Sequence, residues 1–214
     1  MDSAVMKEMF ESIYDTNYWG GNMSKSGRGS DPDQTEVLVS VLREFMERQN
    51  ISVMVDLGCG DCTWVKEVMI NPLRYYVGVD IVHSLILKNK KQYGDAYHTF
   101  LEKDVTRFVP PSTEMILCRD VMCHLLFEDA LRMLAIIRKS HATWLVATTF
   151  LREGRENPTS YPVMGPMGWY PIVLTKPPFN LPEPVEILHE DSCVAGFEDK
   201  ALGVWKVRDI PCPS

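Results

Sequence analysis

The chain has 214 residues and a formal net charge of −7 at neutral pH. That length suits one α/β domain with a substantial core, and the acidic balance speaks against nucleic acid as a partner, because phosphate-gripping proteins gather Lys and Arg on one face. No apolar run approaches the roughly 18 to 20 residues that span a bilayer, and the opening MDSAVMKEMF lacks a signal peptide's apolar core, so a cytoplasmic chain without a membrane partner is expected.

The first 19 residues read as a short amphipathic helix, with Val5, Met9, Phe10 and Ile13 on one side, followed by the aromatic cluster Tyr14, Tyr18 and Trp19. Residues 20–30 are rich in Gly and Ser and are expected to be a flexible loop. Either this is a disordered leader, or it is a lid that brings Trp19 and the SGRGS turn around Arg28 onto a bound ligand. Aromatic residues beside glycine hinges favour the lid. Asp31-Pro32-Asp33-Gln34 is a helix start with Asp31 as N-cap, and the helix it opens carries Val37, Leu38, Val41, Leu42, Phe45 and Met46 as its buried stripe.

Residues 51–57 form an apolar, β-branched run that ends in a carboxylate, Asp56, and the turn Gly58-Cys59-Gly60. A strand entering a tight glycine turn leaves room for a ligand against the backbone. Trp64, Val65 and Val68 at helical spacing suggest that the turn opens a helix whose first N–H groups receive polar or anionic ligand atoms. The turn lacks the third glycine of a dinucleotide fingerprint and the Gly-Lys-Ser/Thr ending of a phosphate loop. A second apolar run, 75–79, ends at Asp80, where a carboxylate suits a ribose diol. Adenosine without a pyrophosphate fits this set.

The sequence resembles the class I S-adenosylmethionine-dependent methyltransferases. The resemblance rests on VDLGCGD (55–61), VGVDI (77–81), EKDVT (102–106) and LCRDVMCHL (117–125), in that family's order and spacing. The segments TNYWGG, SGRGS and GWYPIVLTKPPFNLP further resemble a branch of small, single-domain members. The resemblance implies a Rossmann-like α/β fold: a doubly wound, mostly parallel seven-stranded sheet with an antiparallel last strand. It also implies S-adenosylmethionine as cofactor and S-adenosylhomocysteine as product. The cofactor contacts it implies are Trp19, Arg28, Asp56, Gly58, Gly60, Asp61, Asp80, Ile81, Asp104, Val105, Arg119 and Asp120.

Several of these residues carry readings of their own. Asp104 follows a third strand over 97–103, where its carboxylate can accept from the adenine amine while the Val105 N–H meets a ring nitrogen. A fourth strand, 115–118, delivers Arg119-Asp120 and then His124, where the reacting groups of such a fold project. His124 is a candidate base, its ordinary pKa of about 6.5 lying near neutrality; the alternative is a packing histidine that caps the next helix. For Asp120 the alternative is an ion pair with Arg119.

A helix over 130–137 and a strand over 143–149 come next. Residues 150–184 depart from regular patterning and are rich in Pro and Gly. Long irregular connections tend to be functional, so this segment is expected to be the acceptor-side wall. Met164, Met167, Trp169, Tyr170 and Phe179 would shape it, and Arg152 and Asn157 would anchor it; the alternative is an insertion packed on the sheet edge. Two strands, 185–191 and 201–207, close the chain as a hairpin. The expected organisation is one domain over 1–214: helix and lid (1–34), cofactor core (35–149), acceptor loop (150–184) and hairpin (185–214).

The six cysteines (Cys59, Cys62, Cys118, Cys123, Cys193, Cys212) form no disulfide scaffold. Cys59 and Cys62 are nominally C-x-x-C but lie within the glycine turn without a Cys/His set, so they are read as small buried residues and no metal is expected. Three functions stay open: methyl transfer to a small-molecule nucleophile, methylation of a protein or peptide side chain, and a non-catalytic cofactor-binding module.

Overall fold

The computed structural model describes residues 1–69, 73–159, 168–191 and 195–211. Met164, Met167, Cys193 and Cys212 lie outside the described residues. The seven strands are β1 (Val53–Leu57), β2 (Tyr75–Asp80), β3 (His98–Glu102), β4 (Met115–Cys118), β5 (Trp144–Phe150), β6 (Glu186–His189) and β7 (Lys200–Lys206). They form one sheet in the order β3-β2-β1-β4-β5-β7-β6. The first five run parallel, and β7 lies antiparallel between β5 and β6. This is the doubly wound sheet with an antiparallel last strand that the sequence led us to expect.

Both faces are covered, which is why the central strands read as continuous apolar runs. Met54 faces a core shared with α2 (Pro32–Arg48), where it meets Leu42, Phe45 and Met46; its neighbour Val55 faces the opposite core, shared with Met133, Leu134 and Ile137 of α5 (Phe127–Lys139). From β1 the chain steps outward through β2 and β3, then returns to place β4 on β1's other side. The carboxyl ends of β1 and β4 therefore diverge at a switch in strand order, where open α/β sheets leave a crevice.

Several local expectations change. In α1 (Ser3–Thr16) the buried residues are Met6, Ile13 and Tyr14, whereas Val5 is exposed, so the buried stripe is rotated by one residue. In α2, Val37 faces solvent and Thr35 is buried in its place. The helix after the glycine turn amounts to α3 (Lys66–Met69), a single turn. The other helix is α4 (His83–Tyr93). Between β5 and β6 no described residue is in a helix or strand, yet Tyr170, Ile172, Leu174, Phe179 and Leu181 are buried. The described residues of that segment therefore contribute to the core. Cys59, Cys62, Cys118 and Cys123 are buried free thiols. Among the described residues no helix is long and apolar enough to cross a membrane.

Candidate functional site

At the end of β1 the chain bends through Gly58 (φ 78°) and Gly60 (φ 56°), left-handed conformations that suit glycine. The N–H groups of this turn are already engaged. Those of Gly58 and Cys59 donate to the Val79 carbonyl at 2.7 and 3.0 Å, that of Gly60 to Asp80 Oδ2 at 3.1 Å, and that of Asp61 to Ser26 Oγ at 2.9 Å. The end of β2 and the N-terminal loop accept them, and the first N–H groups of α3, expected to receive a ligand, are engaged as well: those of Lys66, Glu67 and Val68 donate to the Cys62, Trp64 and Val65 carbonyls at 3.3, 3.0 and 2.9 Å. A Cβ on Gly58 would stand 2.3 Å from Val121 Cγ2, and one on Gly60 2.5 Å from Ser26 Oγ. The glycines thus admit the protein's own side chains.

Asp56, in β1, is buried and accepts a hydrogen bond of 2.8 Å from the Tyr76 hydroxyl. Burial pushes its pKa up to about 7. Asp80 accepts from the N–H groups of Gly60 and of Val82 (3.0 Å). Burial also raises its pKa, against the pull of those N–H groups. After β3, Asp104 Oδ1 accepts from the N–H and hydroxyl of Thr106 at 2.9 and 2.7 Å. Its Oδ2 is buried without a hydrogen-bond partner, with Arg107 Nε at 3.5 Å. An acceptor left so costs free energy that an incoming N–H donor would recover.

These carboxylates border one cavity at the strand ends. Of the cofactor residues expected from the sequence, Arg28 alone stands outside its wall. The cavity is roofed by Met6, Phe10 and Tyr14 of α1 and by Trp19, Lys25 and Ser26 of the following loop. That loop is tied down by two carboxylates. Asp31 accepts from the N–H groups of Asn22, Met23 and Ser24, each at 2.8 Å, so it does not cap α2 with its side chain as expected. Burial opposes its ionisation, but these donors and Arg28 outweigh burial and lower its pKa. Asp61 accepts from Ser24 Oγ at 2.9 Å and from the Lys25 N–H at 2.8 Å, so it holds the loop rather than facing a ligand alone. Arg28 pairs with Asp31 and Asp33.

Beyond β4 the chain places a buried ionic cluster. Arg119 donates to Glu190 at 2.7 Å and to the Gly29 carbonyl at 2.8 Å, and its guanidinium lies 5.2 Å from the Trp64 ring centre. Lys200 donates to Asp120 Oδ2 and stands 3.3 Å from Glu190. Burial opposes the charge of Asp120, but Lys200 and then Arg119 outweigh it and hold the pKa at about 2. Asp120 adopts φ 55°, a left-handed conformation that costs a non-glycine residue about 1 kcal/mol. His124 Nδ1 lies 3.2 Å from the Gly168 carbonyl, and its ring stacks on Trp19 with centres 4.7 Å apart. Burial lowers its pKa, which keeps the imidazole neutral. Sequence reasoning missed Glu190 and Lys200. The signal was available: an antiparallel last strand puts its first residue, Lys200, beside the last residue of β5, Phe150, at the carboxyl edge.

Trp19, Arg119, Asp120 and His124 separate the first cavity from a second one of about 290 Å³, which also takes in Arg28, Glu190, Lys200, Phe150, Trp169 and Phe197. The structure thus brings Trp169 to the expected acceptor side. It does not bring Arg152 or Asn157. Arg152 is exposed and its backbone and side chain engage Asp199, Glu198 and the Gly196 carbonyl. Asn157 is buried and clamps its own segment through Val173 and the Pro177 carbonyl. Among the described residues no cluster of His, Cys, Asp and Glu is set to hold a metal.

No protein-family model matches the sequence, and no curated protein matches it. Solved structures do match in fold. The N-methyltransferase NodS of Bradyrhizobium japonicum superposes with a TM-score of 0.61 at 16% identity, over 83% of this chain and 98% of that one. The magnesium protoporphyrin IX methyltransferase ChlM of Synechocystis, solved with bound S-adenosylmethionine, gives 0.54 at 16% identity over 74% and 81%. The cyclase SpnF also gives 0.54, at 13% identity over 72% of this chain and 61% of that one. The chain has the fold of class I methyltransferases. Since a cyclase shares it, activity has to be argued from the site.

Proposed function

We propose that the protein transfers a methyl group from S-adenosylmethionine to a small-molecule nucleophile by direct in-line displacement. The observation that carries this reading is Asp104, which lines the strand-end cavity and whose buried Oδ2 has no hydrogen-bond partner, only Arg107 Nε at 3.5 Å. It fits the exocyclic amine of adenine, with Val105 beside it at the ring edge. Asp80 fits the ribose diol, because each of its oxygens accepts one N–H and an ionised carboxylate has room for more. Gly58 and Gly60 line the same cavity and would flank the sugar.

Bound there, the cofactor supplies a methyl group on a positively charged sulfur. The chain's own residues then position and shield. Trp19, Asp120 and His124 stand at the boundary of the two cavities, where an acceptor in the second meets the methyl carried in the first. The roof of α1 and its loop excludes water. Holding the partners in line accounts for several kcal/mol of barrier. The neutral His124 takes the proton from an acceptor that arrives protonated. The second cavity, of about 290 Å³, has room for a small molecule.

Calorimetric titration with S-adenosylhomocysteine tests the assignment. We expect binding by the wild type and a loss of about tenfold or more in Asp80→Asn and in Asp104→Asn, the worth of a lost charged hydrogen bond. Absence of binding refutes the reading, and unchanged affinity in Asp80→Asn removes the ribose assignment. Labelled donor incubated with cell extract separates acceptors: label in the protein fraction would overturn the small-molecule reading.

A further inference from the structure

The charges on the wall of the second cavity are matched in place. Arg119 is paired with Glu190, Lys200 with Asp120 and Glu190, and Arg28 with Asp31 and Asp33. An anionic acceptor would compete with Asp120 and Glu190 for these cations, and an ammonium acceptor would compete with Lys200 for the carboxylates. Either exchange leaves a buried charge without its partner, which is costly. An uncharged hydroxyl compound requires no exchange. Lys200 has three N–H donors; one goes to Asp120, and Glu190 stands 3.3 Å away as an ion-pair neighbour, so the two carboxylates do not exhaust its donors.

Beside these charges stands an aromatic group, Phe150 pairing with Lys200 across adjacent strands, with the Arg155 guanidinium, itself paired with Asp199, 5.3 and 5.9 Å from the Phe150 and Phe197 ring centres. Phe150, Trp169 and Phe197 meet edge to face, with interplanar angles of 79°, 80° and 83° and centres 4.8 to 6.0 Å apart. Such rings give flat surfaces against which a planar ring, or the C–H face of a sugar, gains contact.

We propose that the methyl acceptor is an uncharged hydroxyl compound with one flat apolar face, which rests against Trp169 and Phe197 and presents its oxygen to the Lys200 ammonium. This rests on the methyl-transfer reading and names its substrate class. The hydroxyl oxygen's lone pair forms the new C–O bond as the carbon–sulfur bond breaks, and the electron pair stays on sulfur as a neutral thioether. The hydroxyl proton passes to His124. Lys200 selects the substrate by donating to an oxygen, and the matched charges around it reject ionic competitors.

The test uses the full chain saturated with S-adenosylhomocysteine at neutral pH, titrated by ligand-detected NMR with four probes: p-cresol, methyl β-glucoside, benzoate and benzylamine. We expect p-cresol or the glucoside to bind about tenfold or more tightly than the two charged probes, and which one binds separates a phenol from a sugar acceptor. Lys200→Met, tested at saturating S-adenosylhomocysteine, should remove that preference, and Lys200→Arg, which keeps a donor, should restore part of it. Benzoate or benzylamine binding as tightly as the neutral probes overturns the inference, as does binding of neither neutral probe at millimolar concentration. Cofactor-product binding with the wrong probe preference sinks this inference alone. Failure to bind the cofactor product sinks the methyl-transfer reading and this one with it.

Discussion

Asp56 is held near the midpoint of its titration at neutral pH, and this has a measurable cost. Its folded pKa of about 7 lies well above the ordinary carboxylate value of about 3.9. A raised folded pKa stabilises fully below the unfolded value, and that stability is lost as pH rises through the folded value. Asn keeps an oxygen to accept from Tyr76 without the charge. Asp56→Asn should therefore raise the melting temperature of the ligand-free protein at pH 8, with the gain fading toward pH 5; an equal difference at both pH values would mean that the buried charge is not the source of the gain. Asp56, Asp80 and Asp104 were legible in the sequence because each ends or follows an apolar run, and strand ends are where parallel sheets expose their chemistry. The need for Gly58 and Gly60 was legible too, but its cause was not. Val121 and Ser26, which fill the space a side chain would take, arrive from segments far along the chain.

The N-terminal helix and loop form the element that composition describes least well. Residues 20–30 look flexible because Gly and Ser dominate them, yet Asp31 and Asp61 bind six donors of this segment, four at Asp31, the Arg28 guanidinium among them, and two at Asp61. Composition reports what a segment prefers alone, and a carboxylate that binds it tightly is invisible to that measure. Asp31→Ala removes three bonds from backbone N–H groups and the Arg28 pair, each charge-assisted bond worth about 1.5 kcal/mol or more. Amide exchange at residues 22–24 should then rise by about a hundredfold or more, with that of β1 unchanged. Affinity for S-adenosylhomocysteine should fall in step, because Trp19 and Ser26 on this loop roof the cavity. If exchange rises and affinity stays constant, the loop is ordered but is no lid. The periodicity of α1 was legible only to within one position: burial takes Met6 where the pattern offered Val5.

The topology of the whole molecule determines what the site contains. Parallel strands send their carboxyl ends to one edge, and β6, parallel to β5 through β7, sends Glu190 there just past its end. Because β7 runs the other way, its first residue reaches the same edge, so Lys200 arrives beside Phe150. Arg119, from the centre of the sheet, then meets Glu190, 71 residues further along the chain. The strands were legible from apolar runs and their arrangement from the family resemblance, whereas this meeting brings together side chains far apart in the sequence that no local pattern links. The cluster predicts non-additive energetics. Arg119→Met leaves Glu190 buried without its closest cation and should cost about 3 to 5 kcal/mol, as breaking a buried pair does. Arg119→Met combined with Glu190→Met removes both charges and leaves Lys200 on Asp120, so the double variant should be more stable than Arg119→Met alone. Denaturant unfolding of the four proteins in this cycle measures the coupling. Additive losses would mean that the two side chains act independently and that the cluster does not bind the C-terminal strands to the centre of the sheet.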